Sequence, residues 1–259
     1  MFQTKEAAAV WRDTAARRNA TLAPATERMI AQARIASGMR VLDLGCGVGD
    51  VARDIAQRFG CEVIGTDFSQ DMIDVAQPAP RVQFVRMDTM SLTFGDGEFD
   101  AAVARNSIMF LPDLGAAMRG VKRVLRSGGR FAAAYWAPFS ENPFQGSLVA
   151  VAGELGLLPG DNEMVQAFNL PSGKVETAMA QAGFGEISSE LVAGASRFET
   201  VEAAVQAMKG NPLQSAFFAS LDDAAREKAW AEVMRRFAPY QTSEGVAIPT
   251  KLVVTAGSA

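Results

Sequence analysis

Asp43, Gly45, Gly47 and Gly49 are the residues whose types and spacing first suggest chemistry. They lie in Val41-Leu42-Asp43-Leu44-Gly45-Cys46-Gly47-Val48-Gly49-Asp50, a short apolar run followed by glycines at alternate positions. A glycine has no Cβ, so a ligand can approach its backbone closely. If Val41–Leu44 is a buried strand and a helix opens at Asp50, the turn gathers backbone N–H groups and the positive end of a helix dipole. Val51, Ile55 and Phe59 follow at four-residue spacing, as one helix face requires. Such a turn suits a nucleotide-like ligand, although a tight strand-to-helix turn without a ligand would use the same residues. The spacing is Gly-x-Gly-x-Gly, not the Gly-x-Gly-x-x-Gly of dinucleotide binders.

Polar residues then recur at the ends of further strand-like runs. Val63-Ile64-Gly65-Thr66 ends at Asp67-Phe68, Val82–Met87 at Asp88-Thr89, and Phe99–Ala104 at Arg105-Asn106. A carboxylate at the first of these ends, Asp67, can accept both hydroxyls of a ribose diol. Taken with Asp43 and Cys46, the pattern resembles motif I and the strand ends of class I S-adenosylmethionine (SAM) methyltransferases. It is similar to their ubiquinone/menaquinone and natural-product small-molecule group. The likeness is close over about residues 38–138 and looser elsewhere.

The resemblance implies SAM as cofactor, with S-adenosylhomocysteine as product. Gly45, Cys46, Gly47 and Gly49 would face the methionine end, which Asp43 would help orient, capping of the turn being the other role open to it. Asp67 would hold the ribose hydroxyls, a solvated acid at a strand end being the other role open to it. Phe68 would lie against the adenine or pack in the core, and Met72 has the same two options. Asp88 and Thr89 would meet the adenine amino group and ring, or cap a loop. Arg105 stands where the family meets the methionine amino group through a backbone carbonyl. Its side chain is open between the cofactor carboxylate, a substrate anion and an ordinary glutamate partner.

These tips need a scaffold. Apolar runs alternate with helical periodicities in the order expected of a parallel sheet with helices on both faces, and right-handed crossovers put the strand tips on one edge. The expectation is a Rossmann-like α/β fold with a seven-stranded sheet, its last strand antiparallel. Residues 1–37 form an N-terminal helical cover with helices over 3–19 and 24–36, Trp11 lying over the ligand or simply packing. Residues 38–138 form the SAM-binding core, with Ser69 capping a helix to Val75, a helix over 113–126 stopped by Gly128-Gly129, and a strand over 130–136. Residues 139–259 complete the sheet with strands near 186–198 and 246–256 and carry an inserted helical lid. Its helices span 148–155, Ser172 to Ala182, 200–209 and 222–237.

Composition narrows the function. The chain has 259 residues, 49% hydrophobic and 21% charged, with net charge −4. No basic run offers a phosphate track, so no nucleic-acid partner is expected. Two cysteines and no histidine give no disulfide framework and no expected metal site. No apolar run reaches membrane-span length and no signal-like segment is present, which leads to an expectation of a cytoplasmic enzyme. Methyl transfer from a sulfonium needs alignment and exclusion of water more than it needs a base. A base, if used, would be a carboxylate such as Glu141 or Asp113 or a tyrosine, Tyr135 or Tyr240. Each also has an ordinary structural role open to it. The acceptor would be a small, largely apolar metabolite, walled by Met109-Phe110-Leu111 and Tyr135-Trp136. The readings left beside this one are a SAM-binding protein that transfers no methyl, of cyclase or regulatory type, and a protein or nucleic-acid methyltransferase.

Overall fold

The structure, a computed structural model of the chain, describes residues 5–158 and 163–259. Residues 3–4 of the expected first helix, and 159–162 of the expected lid, lie outside the described residues. In chain order the elements are α1 (Lys5–Asp13), α2 (Ala15–Gln32), β1 (Arg40–Leu44), α3 (Asp50–Phe59), β2 (Glu62–Asp67), α4 (Gln70–Val75), β3 (Val82–Arg86), β4 (Phe99–Arg105), α5 (Leu114–Val124) and β5 (Leu125–Trp136). There follow α6 (Pro143–Glu154), α7 (Glu163–Ala167), α8 (Lys174–Gln181), β6 (Gly185–Phe198), α9 (Val201–Lys209), α10 (Pro212–Ser215), α11 (Asp223–Phe237), β7 (Gln241–Thr242) and β8 (Gly245–Ser258).

The chain forms two compact units. One contains residues through Tyr135 together with Pro171–Val192 and Leu252–Ala259; the other contains Trp136–Leu170 and Ala193–Lys251. The sheet order is β3-β2-β1-β4-β5-β8-β6, and β7 pairs with β8 as an extra two-residue strand beyond the seven expected. Strands β1 to β5 pair in parallel. The β1 side chains from Val41 to Leu44 are all buried, as a parallel strand covered on both faces requires. At the other end, Ala259 N–H donates to Gly129 O and Tyr135 meets Thr255. Residue numbers on β8 thus fall as those on β5 rise, and the two strands are antiparallel. Gly185 beside Gly257 and Ser189 beside Thr255 give β6 the same relation to β8. The last strand is antiparallel to its neighbours, as expected.

Several boundaries differ from the sequence reading for identifiable reasons. The N-terminal helices break at Thr14, not near residue 20, and α2 carries Pro24 inside it. Leu22, Ala25, Met29 and Ile30 are buried along one face, and that stripe outweighs one lost backbone bond. Thr14 donates its hydroxyl to Val10 O (2.8 Å) and so takes up a carbonyl at the end of α1. Helix α5 ends at Val124, two residues early, and β5 starts at once. Phe99 pairs with Leu125 but Ala101 with Arg130, so Gly128-Gly129 sit in a bulge within the strand and do not stop the helix. A Cβ on Gly129 would come within 2.9 Å of Asp100 O. Helix α6 starts at Pro143, well before 148, because proline suits the first helical position and Asn142 is pinned by Ala137 O and Lys251 N–H. Gly173, in left-handed conformation, and not Ser172, precedes α8. The cap at Ser69 falls where expected, and Thr200 and Asp222, the first residues of the helices expected over 200–209 and 222–237, cap α9 and α11.

The second unit has its own core. Leu148 and Val151 of α6, Val205 and Met208 of α9, and Trp230, Val233 and Phe237 of α11 pack with Val246 and Ile248. The Phe144 ring stacks on Phe198 (5.4 Å) and on Phe237 (5.7 Å).

Candidate functional site

The three glycines of the turn after β1 are all left-handed, with φ of 66°, 56° and 83°, but they answer to different neighbours. A Cβ on Gly45 would lie 2.3 Å from Ser107 Cβ, and one on Gly49 2.3 Å from the Phe84 ring. Among the described residues a Cβ on Gly47 would meet the Trp11 indole alone, Nε1 at 3.4 Å and Cδ1 at 3.7 Å. Packing within the protein therefore demands Gly45 and Gly49, whereas Gly47 leaves its backbone facing α1. Cys46 pins the turn to β2 through its N–H on Thr66 O (2.9 Å). Burial, with the charges of Asp43 and Asp67, holds its thiol well above the usual range, so it is a neutral small residue and not a nucleophile.

The two strand-tip acids are in different states. Asp43 is buried, and a backbone bond from Ala52 ties it to the first turn of α3. Among the described residues its Oδ2 has no hydrogen-bond partner. Burial pushes its carboxyl up to about 7 against the pull of the Arg105 charge. Asp67 is satisfied: Oδ2 accepts from Gly47 N–H and Oδ1 from Ser69 N–H, both at 2.9 Å. Burial raises its pKa too, and these backbone bonds oppose the shift. Phe68 N–H acts on the carboxylate as well, and three donors do not take up all the lone pairs of its two oxygens.

Around them the other candidates separate. Phe68 is 54% exposed beside the Arg86 guanidinium, so it does not pack in the core. Met72 does, in a small cluster with Ala8 and Val48 against which Trp11 and Val75 pack. Asp88 caps the short turn Thr89–Ser91 through Met90 N–H (2.9 Å), and Thr89 is buried. Tyr135 is buried on Thr255 (3.0 Å), and that burial pushes its phenol up to about 12. In the second unit, Glu141 forms an ion pair with Lys251.

The tip of β4 joins Arg105, a candidate from the sequence, to groups on α2 that the sequence did not single out. Arg105 donates to Asn19 Oδ1 (2.8 Å) and Thr26 Oγ1 (3.1 Å), both on α2. Among the described residues no carboxylate ion-pairs with it. Asn106 is left-handed (φ 53°), with a buried Oδ1 that has no partner. Ser107 donates to Leu44 O (2.6 Å). Beside the turn, Asp50 accepts from Arg18 (3.0 Å) and Arg53 (2.6 Å), and the Arg18 guanidinium lies 4.2 Å above the Trp11 ring. Asn19 and Thr26 are 86 and 79 residues from Arg105 in the chain, and nothing in their local pattern marks them. Asn106 was legible only as a polar strand end.

Chemically, two buried acceptors without donors suit a cation, and a guanidinium held by neutral groups suits an anion. A ligand with an ammonium and a carboxylate at one end, such as SAM, fits that donor set.

Comparison with known proteins bears on the family and the fold. Residues 41–129 match a methyltransferase domain family. Methyltransferase GfsG of Streptomyces halstedii is 39% identical over 42% of this chain and 42% of its own length. The chain spans about half the length, or less, of the first such curated relatives it matches. A putative methyltransferase from an antibiotic biosynthesis pathway of Anabaena variabilis superposes with a TM-score of 0.65 at 14% identity, covering 89% of this chain and 96% of that one, which bears on the fold alone. Demethylmenaquinone methyltransferase of Thermus thermophilus is 32% identical over 56% of this chain and 74% of its own length, and on that match the chain belongs to the class I SAM-dependent methyltransferase family.

Proposed function

We propose that this protein transfers a methyl group from SAM to a small, largely apolar metabolite, chiefly by alignment and exclusion of water. The observation that carries the reading is the polar set beside the glycine turn: Asp43 Oδ2 and Asn106 Oδ1, which have no partner among the described residues, and the Arg105 guanidinium, which is held by neutral side chains alone. In this reading Asp43 and the turn Gly45, Cys46, Gly47 and Gly49 hold the methionine end. Asp67 keeps lone pairs for the ribose hydroxyls, exposed Phe68 offers its face to the adenine, and Asp88 and Thr89 meet the adenine edge. Met72 supports this surface from within its cluster.

SAM supplies an electrophilic methyl group on a sulfonium leaving group, so the protein need not provide a nucleophile. The chain has no histidine. The Tyr135 phenol is pushed up to about 12 and Glu141 is engaged by Lys251. The raised phenol is not poised as a base near neutrality, and the ion pair occupies the Glu141 carboxylate, which supports alignment over base catalysis. The acidic balance favours a metabolite over nucleic acid as acceptor. Among the described residues no helix is long and apolar enough to cross a membrane, and we place the enzyme in the cytoplasm.

The test is incubation with methyl-labelled SAM and metabolite extracts, following label and S-adenosylhomocysteine together. Labelled small products with matching S-adenosylhomocysteine are expected. Binding of SAM with no S-adenosylhomocysteine from any extract would favour a non-methylating use of the cofactor. Calorimetry on Asp67→Ala should show SAM affinity weaker by on the order of 1–3 kcal/mol. Unchanged affinity would remove Asp67 from the site.

A further inference from the structure

Arg105 differs from two other arginines of its unit that are largely withdrawn from water. Arg130, 5% exposed, ion-pairs with Glu186 (2.8 Å) and donates to Gln32 O. Arg18 ion-pairs with Asp50 (3.0 Å). Among the described residues Arg105 bonds to two neutral side chains, Asn19 and Thr26, and to no carboxylate. Both oxygens of Asp50 are engaged by Arg18 and Arg53. Asp43 is near enough for its charge to act on Arg105, but it is not ion-paired with it. A desolvated guanidinium without a bonded anion is unfavourable unless something else supplies the negative charge.

The neutrality of the α2 partners is informative. Asn19 presents an oxygen where aspartate would present one, but without the charge that would satisfy the cation. It fixes Nη2 while Thr26 fixes Nη1, and the remaining N–H groups of the fork stay available for a planar oxyanion. Val103 pairs with Asp43 across β4 and β1, so Arg105, two residues on, stands level with Gly45 at the glycine turn.

We propose that Asn19 and Thr26 are positioning residues that hold the Arg105 guanidinium for the amino-acid carboxylate of the cofactor, so that α2 as well as the strand tips selects a ligand carrying that group. This rests on the SAM reading above. An anionic acceptor would present the same chemistry, and the ligands compared in the test separate the two sources.

The experiment is calorimetry of the full chain with S-adenosylhomocysteine and with S-adenosyl-3-thiopropylamine, which keeps the amine and lacks only the carboxylate. Asn19→Asp fills the fork with an internal charge, and Thr26→Val removes one of its two supports. Each variant should weaken S-adenosylhomocysteine about ten-fold and leave the decarboxylated ligand within about two-fold. Thr26→Ser, which keeps the hydroxyl, should restore the loss. A purely structural role would move both ligands together, and Asn19→Asp would then simply gain an ion pair. If the wild type binds both ligands and the variants shift them equally, or shift neither, the inference fails while the SAM reading stands. A wild type that binds neither ligand removes both. If S-adenosylhomocysteine is unaffected and only the KM of an anionic acceptor rises, the carboxylate belongs to the acceptor and the proposal is overturned. Should Asn19→Asp not fold, the Thr26→Val and Thr26→Ser pair decides alone.

Discussion

The tips of β1 and β2 each end in an aspartate beside the same glycine turn, yet the two acids are held in opposite ways. Asp67 has a backbone donor on each oxygen and braces the turn through Gly47 N–H. Asp43 is deeper, one of its oxygens has no partner, and burial raises its carboxyl to about 7. One tip is complete in itself; the other is left with an unmet need that a ligand can fill. A buried acceptor without a donor costs stability, and such a cost tends to persist where a site needs it. The same contrast divides the glycines: Gly45 and Gly49 are required by Ser107 and Phe84, whereas Gly47 is hemmed in only by Trp11.

The largest effect expected from this contrast is on folding. Gly45→Ala puts a methyl 2.3 Å from Ser107 Cβ at a φ of +66°, a clash with a short side chain whose hydroxyl is tied to Leu44 O. It should cost about 3 kcal/mol or more in urea unfolding. Gly47→Ala carries the left-handed penalty and one contact at 3.4 Å, and should cost about 1–2 kcal/mol. Its main loss should appear in SAM affinity. Equal destabilisation by the two changes would break the division of the turn into packing glycines and a ligand-facing glycine.

The two tips also show what a sequence carries. The Gly-x-Gly-x-Gly run, the acid after β2 and the Ser69 cap are local patterns, and each was found where the spacing put it. What escaped has no local signature. Pro24 looked like a helix start because proline prefers that position, but the buried stripe of α2 overrode it. Gly128-Gly129 looked like a helix stop, but the pairing of Phe99 with Leu125 made them a bulge. The partners of Arg105 come from a helix roughly eighty residues earlier, and only the fold brings them together. In the second unit the stacked Phe144, Phe198 and Phe237 were legible as apolar residues but not as neighbours. For Phe68 and Met72, four residues apart, the choice between core and surface was open until burial separated them.

A second, smaller effect concerns pH. An aspartate in the unfolded chain titrates near 3.9, and Asp43 in the folded chain near 7. Between those values the folded state binds the extra proton. Stability from this group is therefore full below about pH 4 and is lost as pH rises through about 7. Asp67, also raised by burial, adds in the same direction. The charged groups acting on Asp43 are Arg105, Asp67 and Asp50. Asp43→Asn should remove this slope and gain on the order of 2 kcal/mol relative to wild type between pH 5 and pH 8. Urea unfolding of both proteins across that range checks it. A constant difference between them would mean that Asp43 is ionised throughout and that the two tips are electrostatically alike. Binding should run the other way if ionised Asp43 meets the ammonium of SAM. Affinity in the wild type would then rise with pH through about 7, and flatten in the variant.

The smallest effect is at Phe68. A side chain 54% exposed contributes little to folding, so Phe68→Ala should change stability by less than about 0.5 kcal/mol. If the ring forms one face of the adenine site, the same change removes a stacking partner and should weaken S-adenosylhomocysteine by about 1 kcal/mol, or roughly five-fold. Phe68→Tyr, which keeps the aromatic face, should retain the affinity, whereas Phe68→Leu, which keeps apolar area but not the ring, should fall between. The Arg86 guanidinium, 6.0 Å from the ring and hydrogen-bonded to Phe68 O, offers the other explanation, that Phe68 serves only to hold that arginine. Arg86→Met separates the two. If Phe68 acts through Arg86, Arg86→Met should reproduce the loss, and Phe68→Ala in that background should add nothing. If the ring itself carries the contact, Arg86→Met should leave affinity nearly unchanged and the full five-fold loss should remain. Either result also sharpens the contrast between the tips, since it tells whether the second strand end meets the ligand through Asp67 alone or through the acid and the ring together.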